Sequence, residues 1–183
     1  TVREVGARLR YQQRAAGGTL IRRMHAKQHG PNAVLYLYVH HNLLAHHGSR
    51  NPRWASGVGY TDYRNNVIYN WGGDHAGYNN DSKSVTRLNY VGNYLIPGFD
   101  SKPTGIAYST GSPYNRAYFS GNYYDGRLPE DPWDLLEYRE SWSEEEIQNY
   151  KQEKPFHTGP VKSEDGLTAY QRVLEKGGAI LPA

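Results

Sequence analysis

Four asparagines, Asn42, Asn66, Asn93 and Asn122, recur at intervals of 24, 27 and 29 residues, each in the same local setting. The segments read HHNLLAH at 40–46, RNNVIYN at 64–70, VGNYLIP at 91–97 and SGNYYDG at 120–126. In each, the asparagine follows His, Asn or Gly and precedes two apolar or aromatic residues. A polar residue fixed at a period of roughly 20–30 residues marks a stacked repeat. Around the asparagines lie short runs rich in β-branched residues and tyrosine: VLYLYVH at 34–40, VTRLNYVG at 85–92, GIAYS at 105–109 and RAYFSG at 116–121. Gly, Pro, Asn and Ser bound them, as they bound strands. Short strands at this period, with no helices between them, predict an all-β solenoid whose strands pair with their equivalents one rung away. An inward asparagine then stacks on that of the next rung, and amide bonds run along the stack. A β-sandwich is the competing reading; it predicts turns about every 8–12 residues but no recurrent asparagine turn.

Composition agrees with a strand- and turn-rich fold: Gly 20 and Tyr 17 accompany a hydrophobic content of only 37%. The absence of cysteine excludes disulfides and thiolate metal sites. No apolar run approaches the roughly 18–20 residues of a membrane helix. No signal peptide is visible and the chain starts at Thr1, so it reads as a mature or truncated piece. Charge is unevenly spread, +6 over residues 1–33 and −3 over the remainder. That imbalance favours a polyanionic partner, acidic polysaccharide or nucleic acid; no nucleic-acid-binding module is visible.

Three parts follow: an atypical basic segment at 1–33, solenoid rungs at 34–126 and a tail at 127–183. In the tail, Ser143 before Glu144, Glu145 and Glu146 predicts a capping box and a helix running to Lys154, stopped by Pro155. A second helix is predicted from Ser163 to the Gly177-Gly178 pair. Such a tail covers exposed sheet edges.

The stretch HHNLLAHHGSRNPR at 40–53 holds four histidines, two arginines and no acid. On a strand, adjacent His40 and His41 would point to opposite faces. A metal site needs converging ligands, usually with an acid among them, and no acid occurs between Asn32 and Tyr60. The expectation is that His40, His41, His46 and His47 pack in rungs, with metal ligands left unassigned. Asp62, Asp74 and Asp81 read as turn and loop acids in Gly/Asn-rich segments.

Taken in order, that stretch, DYRNNVIYNWGG at 62–73, NYVGNYLIPG at 89–98 and YFSGNYYDG at 118–126 resemble the pectate lyases of the right-handed parallel β-helix class, bacterial ones in particular. WSEEEIQNYKQEKPF at 142–156 is similar to the end of those enzymes. The resemblance implies a right-handed parallel β-helix with a C-terminal helical tail. It implies a secreted or periplasmic, monomeric polysaccharide lyase that cleaves polygalacturonate or pectin by β-elimination with calcium, and that engages no nucleic acid or membrane. Arg50, in the R-x-P motif at 50–52, matches the family's base. Guanidinium ordinarily holds its proton, with a pKa above about 12, so that role needs neighbouring cations or a preformed charge field. Arg53 matches a clamp on a substrate carboxylate, to which arginine presents a fork of donors. Lys27, in HAKQHGP at 25–31, resembles the family's substrate-binding lysine. Calcium takes six to eight oxygens; the family supplies them as acids on rungs before the R-x-P turn, whereas here only Glu4 precedes Asp62. The calcium ligands therefore stay unassigned, and the expectation is that the N-terminal rungs are missing from the chain. Two alternatives stay open, a shortened and inactive lyase and a non-catalytic β-helix that binds acidic glycan through Arg, Lys and Tyr.

Overall fold

The computed structural model describes residues 24–27, 36–54, 59–79, 85–159 and 161–176. Its strands form three sheets that run along one axis. The first sheet orders β1 (Met24–Lys27), β2 (Tyr36–His40), β5 (Tyr60–Arg64), β8 (Arg87–Val91) and β11 (Arg116–Ser120). The second holds β3 (Leu43–Ala45), β6 (Val67–Tyr69), β9 (Tyr94–Ile96) and β12 (Tyr123–Tyr124). The third holds β4 (Arg53–Trp54), β7 (Gly77–Asn79), β10 (Tyr108–Ser109) and β13 (Leu136–Glu137). Within each sheet the neighbours are successive rungs, paired in parallel, so the chain is a parallel β-solenoid of about three turns. The exception is β1, which lies antiparallel on β2 with Lys27 opposite Tyr36. The rest of the basic segment at 1–33 lies outside the described residues, as does Asp81.

Each rung leaves the first sheet through the same two-residue bend. His41, Asn65, Gly92 and Gly121 occupy it with φ of 53, 54, 60 and 64°. Left-handed backbone is tolerated best by Gly and Asn, which is why the residue before each repeat asparagine is so restricted. The repeat asparagine itself turns inward and is 0–1% exposed in all four rungs. Asn42 donates from its backbone N and Nδ2 to Asn66 Oδ1 at 3.1 and 3.0 Å. Asn66 does the same to Asn93 at 3.0 and 3.1 Å, and Asn93 to Asn122 at 2.9 and 3.0 Å. The remaining amide protons go to backbone carbonyls of Val39, Tyr63 and Tyr90. Buried amides so satisfied stabilise the bend; unsatisfied they would cost it. Beside the ladder, the Tyr63, Tyr90 and Phe119 rings stack with centroids 5.3 and 4.8 Å apart.

Beyond the rungs, the third sheet continues to Leu136–Glu137, where β13 pairs with β10. Helix α1 (Glu144–Tyr150) starts at the predicted capping box, with Ser143 and Glu146 bonded reciprocally. It ends at Tyr150 rather than Lys154, because Lys151 becomes extended and bridges Ala117 of β11. Helix α2 (Gly166–Lys176) starts three residues later than Ser163, after Asp165, whose carboxylate accepts from the Leu167 and Thr168 amides. The chain between the helices crosses the outer face of the first sheet. There the Asn89 side chain bonds the Phe156 backbone at both N–H and carbonyl, 2.8 and 2.9 Å, and Thr158 donates to Asp62. The second sheet is covered by α2, whose Tyr170 stacks on Tyr94 at 4.1 Å. Among the described residues, no helix is long and apolar enough to cross a membrane.

Candidate functional site

The turn at Arg50–Arg53 delivers the chain from the second sheet to the third. Arg50 is exposed and sits at φ 72°, in left-handed backbone that costs a non-glycine residue about 1–3 kcal/mol. The peptide bond between Asn51 and Pro52 is cis. Asn51 and Pro52 are buried, and the next rung holds them: Asn51 N–H donates to the Ala76 carbonyl at 2.8 Å, and Tyr78 N–H to that of Pro52 at 2.9 Å. Gly77 permits this approach, since a Cβ there would lie 2.8 Å from the Pro52 carbonyl oxygen. A rigid support thus carries two exposed guanidinium groups, Arg50 before the turn and Arg53 after it.

Arg53 begins β4 and points outward, while Trp54 turns into the core against Tyr63. The Arg53 guanidinium carbon lies 5.8 Å from the centroid of the Tyr78 ring, its partner in register on β7. The register continues through Ser109 on β10 to Glu137 on β13. Arg53, Tyr78, Ser109 and Glu137 therefore form one outward column, one residue per rung. His75 flanks it, its ring 5.7 Å from that of Tyr78 and its Nδ1 4.0 Å from Glu137 Oε2. Tyr78, His75, Ser109 and Glu137 were not singled out from the sequence. A signal existed: the column members are 25, 31 and 28 residues apart, close to the asparagine period. Lys27 is not part of this column; its strand lies in the first sheet.

The histidines do not act as strand residues throughout. His41 leaves the strand in the left-handed bend, so alternation fails and the two rings meet instead of diverging, Nδ1 to Nδ1 at 3.0 Å. His41 Nε2 also lies 3.7 Å from Glu164, which binds Arg172 on its other oxygen. His46 Nδ1 accepts from Asn70 Nδ2 of the next rung at 2.7 Å, and its ring packs edge-on to Tyr69. Burial pushes the His47 imidazole below its ordinary value.

Calcium would need several carboxylates converging on one point. Among the described residues, no three His, Asp or Glu side chains do so. Asp62 is not the turn acid expected from its Gly/Asn-rich neighbourhood. It sits on β5, 1% exposed, clamped by Nε and Nη2 of Arg64 and by the Thr158 hydroxyl. Asp74 pairs with Lys102 at 2.8 Å, and that hydrogen bond holds its carboxyl below the usual range. Asp100 accepts from Asn70 Nδ2 at 2.7 Å. The described residues do not fit calcium.

No family model matches the chain. Three curated proteins, each named probable pectate lyase C, are similar to it over 84 residues, 46% of this chain. Those of Aspergillus terreus and Aspergillus oryzae are 38% identical over 19% of their own length, and that of Emericella nidulans 34% over 18%. The matched stretch spans about one fifth of these relatives. Over that stretch the chain is similar to proteins named pectate lyase, and its stacked parallel rungs form a β-solenoid.

Proposed function

We propose that the protein is a secreted polysaccharide lyase acting on polygalacturonate by β-elimination, with Arg50 as the base and Arg53 as the carboxylate clamp. The observation that carries this reading is the buried, hydrogen-bonded Asn51-Pro52 support, which is flanked by two exposed arginines, Arg50 in the turn and Arg53 on the outer side of the third sheet. Among the described residues, neither arginine is ion-paired to a carboxylate, so both are open to an anionic ligand. Arg53 binds the carboxylate of the reacting uronate and spreads the charge that develops beside it. Arg50 takes the proton from C5. The C5–H electron pair becomes the C4–C5 double bond, the C4–O bond breaks, and the leaving glycosidic oxygen takes up a proton equivalent to the one Arg50 removed, which returns Arg50 to its starting state. No water is consumed. Lys27 is a further substrate contact in this reading. Calcium assistance, in this reading, would draw its ligands from residues other than those described.

The assay is polygalacturonate with calcium, following the ultraviolet absorbance of the unsaturated product. Arg50→Ala is expected to lower the rate by about 10²–10⁴-fold, the usual contribution of a positioned base. Product formed as fast by Arg50→Ala as by the parent protein would rule out the assignment. The misfit to calcium favours one second reading, a non-catalytic β-helix that binds acidic glycan on the same face. Saccharide binding without product, unchanged by a chelator, identifies that case.

A further inference from the structure

The outward column of the third sheet is not uniform in charge. At one end, Arg53 is exposed above the Tyr78 ring. At the other, Glu137 is exposed on β13, three strands away in the same register. Parallel strands lie about 4.8 Å apart, so the two ends of the column are separated by about 14 Å. One rung is close to the length of one pyranose residue, and a glycan chain lying along the axis meets about one column position per sugar. Beside Glu137 a cavity of about 450 Å³ opens, lined by Ser109, Glu137, Tyr138, Arg139, Glu140 and Ser141. Its charged lining is two carboxylates against one guanidinium. A sugar seated there has a tyrosine edge and a serine hydroxyl to rest on, and a free uronate would bring its carboxylate to Glu137.

We infer that Glu137 is a specificity-determining residue, which disfavours a free carboxylate on the sugar about three residues from the one held at Arg53, so that this face prefers a partly methyl-esterified galacturonan. The inference rests on the proposed lyase reading and deepens it. Arg53 selects a charged sugar and Glu137 selects a neutral one, which fixes both the direction and the pattern of the chain that fits. Like-charge juxtaposition is the means by which an interface rejects an otherwise well-shaped partner. His75 Nδ1 lies 4.0 Å from the same carboxylate.

Calorimetric titration with hexagalacturonate, and with the same oligomer partly methyl-esterified, tests this. Glu137→Gln is expected to tighten the de-esterified oligomer about 5- to 10-fold and to leave the esterified one within about twofold. Arg53→Gln is expected to do the opposite, weakening the de-esterified oligomer more. Equal shifts for both oligomers in Glu137→Gln, or no shift, overturn the inference while leaving the lyase reading intact if the parent protein still forms unsaturated product. Failure of the parent protein to bind either oligomer or to form product overturns both. Glu137 is exposed and the swap keeps its shape, so folding is preserved; a near-ultraviolet circular dichroism spectrum checks it.

Discussion

Asn66 is the sharpest point at which to test whether the ladder holds the rungs together. Its side chain is fully buried, 0% exposed, and takes part in four hydrogen bonds. Asn66→Ala removes all four. It removes the acceptor of the Asn42 backbone N–H and of one Asn42 amide proton; Asn93 Oδ1 still accepts from the Asn66 backbone at 3.0 Å. Each buried donor that loses its acceptor costs about 1–3 kcal/mol, so the total is about 2–6 kcal/mol. Even the lower figure is a large part of the roughly 5–15 kcal/mol that holds a domain together. Urea unfolding followed by tryptophan fluorescence measures the change. Asn66→Leu is the decisive companion, because it keeps the volume and removes only the polar groups. If cavity formation were the cause of the loss in Asn66→Ala, Leu would restore most of the stability. The ladder reasoning predicts that it restores little, and a near-native midpoint for Asn66→Leu would refute it.

Gly77→Ala places a Cβ 2.8 Å from the Pro52 carbonyl oxygen and 3.0 Å from that of Asn51, both backbone atoms that cannot turn aside. Overpacking of this kind costs about 1–3 kcal/mol; the turn carrying Arg50 and Arg53 is pushed from its seat, and lyase turnover is expected to fall further than the unfolding midpoint does. His47 predicts an acid-side slope in stability. Burial favours its neutral form, so the folded value lies below the ordinary 6.5. The stabilisation is whole above about pH 6.5 and is lost as pH falls through the lower folded value. His47→Gln should flatten a plot of melting temperature against pH in that window, and an unchanged slope would count against the argument.

The fold was legible because the ladder needs one residue type at one place in every rung. The strand runs around Val39, Val91 and Phe119 then followed from Gly, Pro and Asn punctuation. What was not legible came from contacts distant in sequence. Asp62 was read as a turn acid, yet its partner Thr158 lies 96 residues away and its burial depends on the strap that carries it. The early end of α1 depends on a bridge from Lys151 to Ala117. His41 was read as a strand residue because its neighbours are, but the bend before the ladder asparagine takes it out of the strand at φ 53°. Arg50 and Arg53 were found through a motif. Their companions His75, Tyr78 and Glu137 were not, since third-sheet strands of two or three residues are too short to show alternation.

Which face of a solenoid can bind follows from which faces its own chain covers. On the first sheet, the outward Asp62 and Asn89 are 1% and 0% exposed, sealed by the strap through Phe156 and Thr158. On the second, outward Val67 and Ile96 are 0% and 2% exposed beneath Val173 and Tyr170 of α2. The outward column of the third sheet has no such cover among the described residues, and Arg53 and Glu137 at its two ends are exposed. The acids nearest the covered faces are satisfied internally, by Arg64 and Thr158 in one case and by Arg172 in the other. Charge on the covered faces therefore docks the tail, and charge on the third sheet is left to meet a ligand. That division is testable without a substrate: Thr158→Val should lower stability and leave oligogalacturonate affinity unchanged, whereas Arg53→Gln should lower affinity and leave the unfolding midpoint in place. If Thr158→Val instead weakened binding while the fold stayed intact, the first sheet would be part of the binding surface and the assignment of faces would fail.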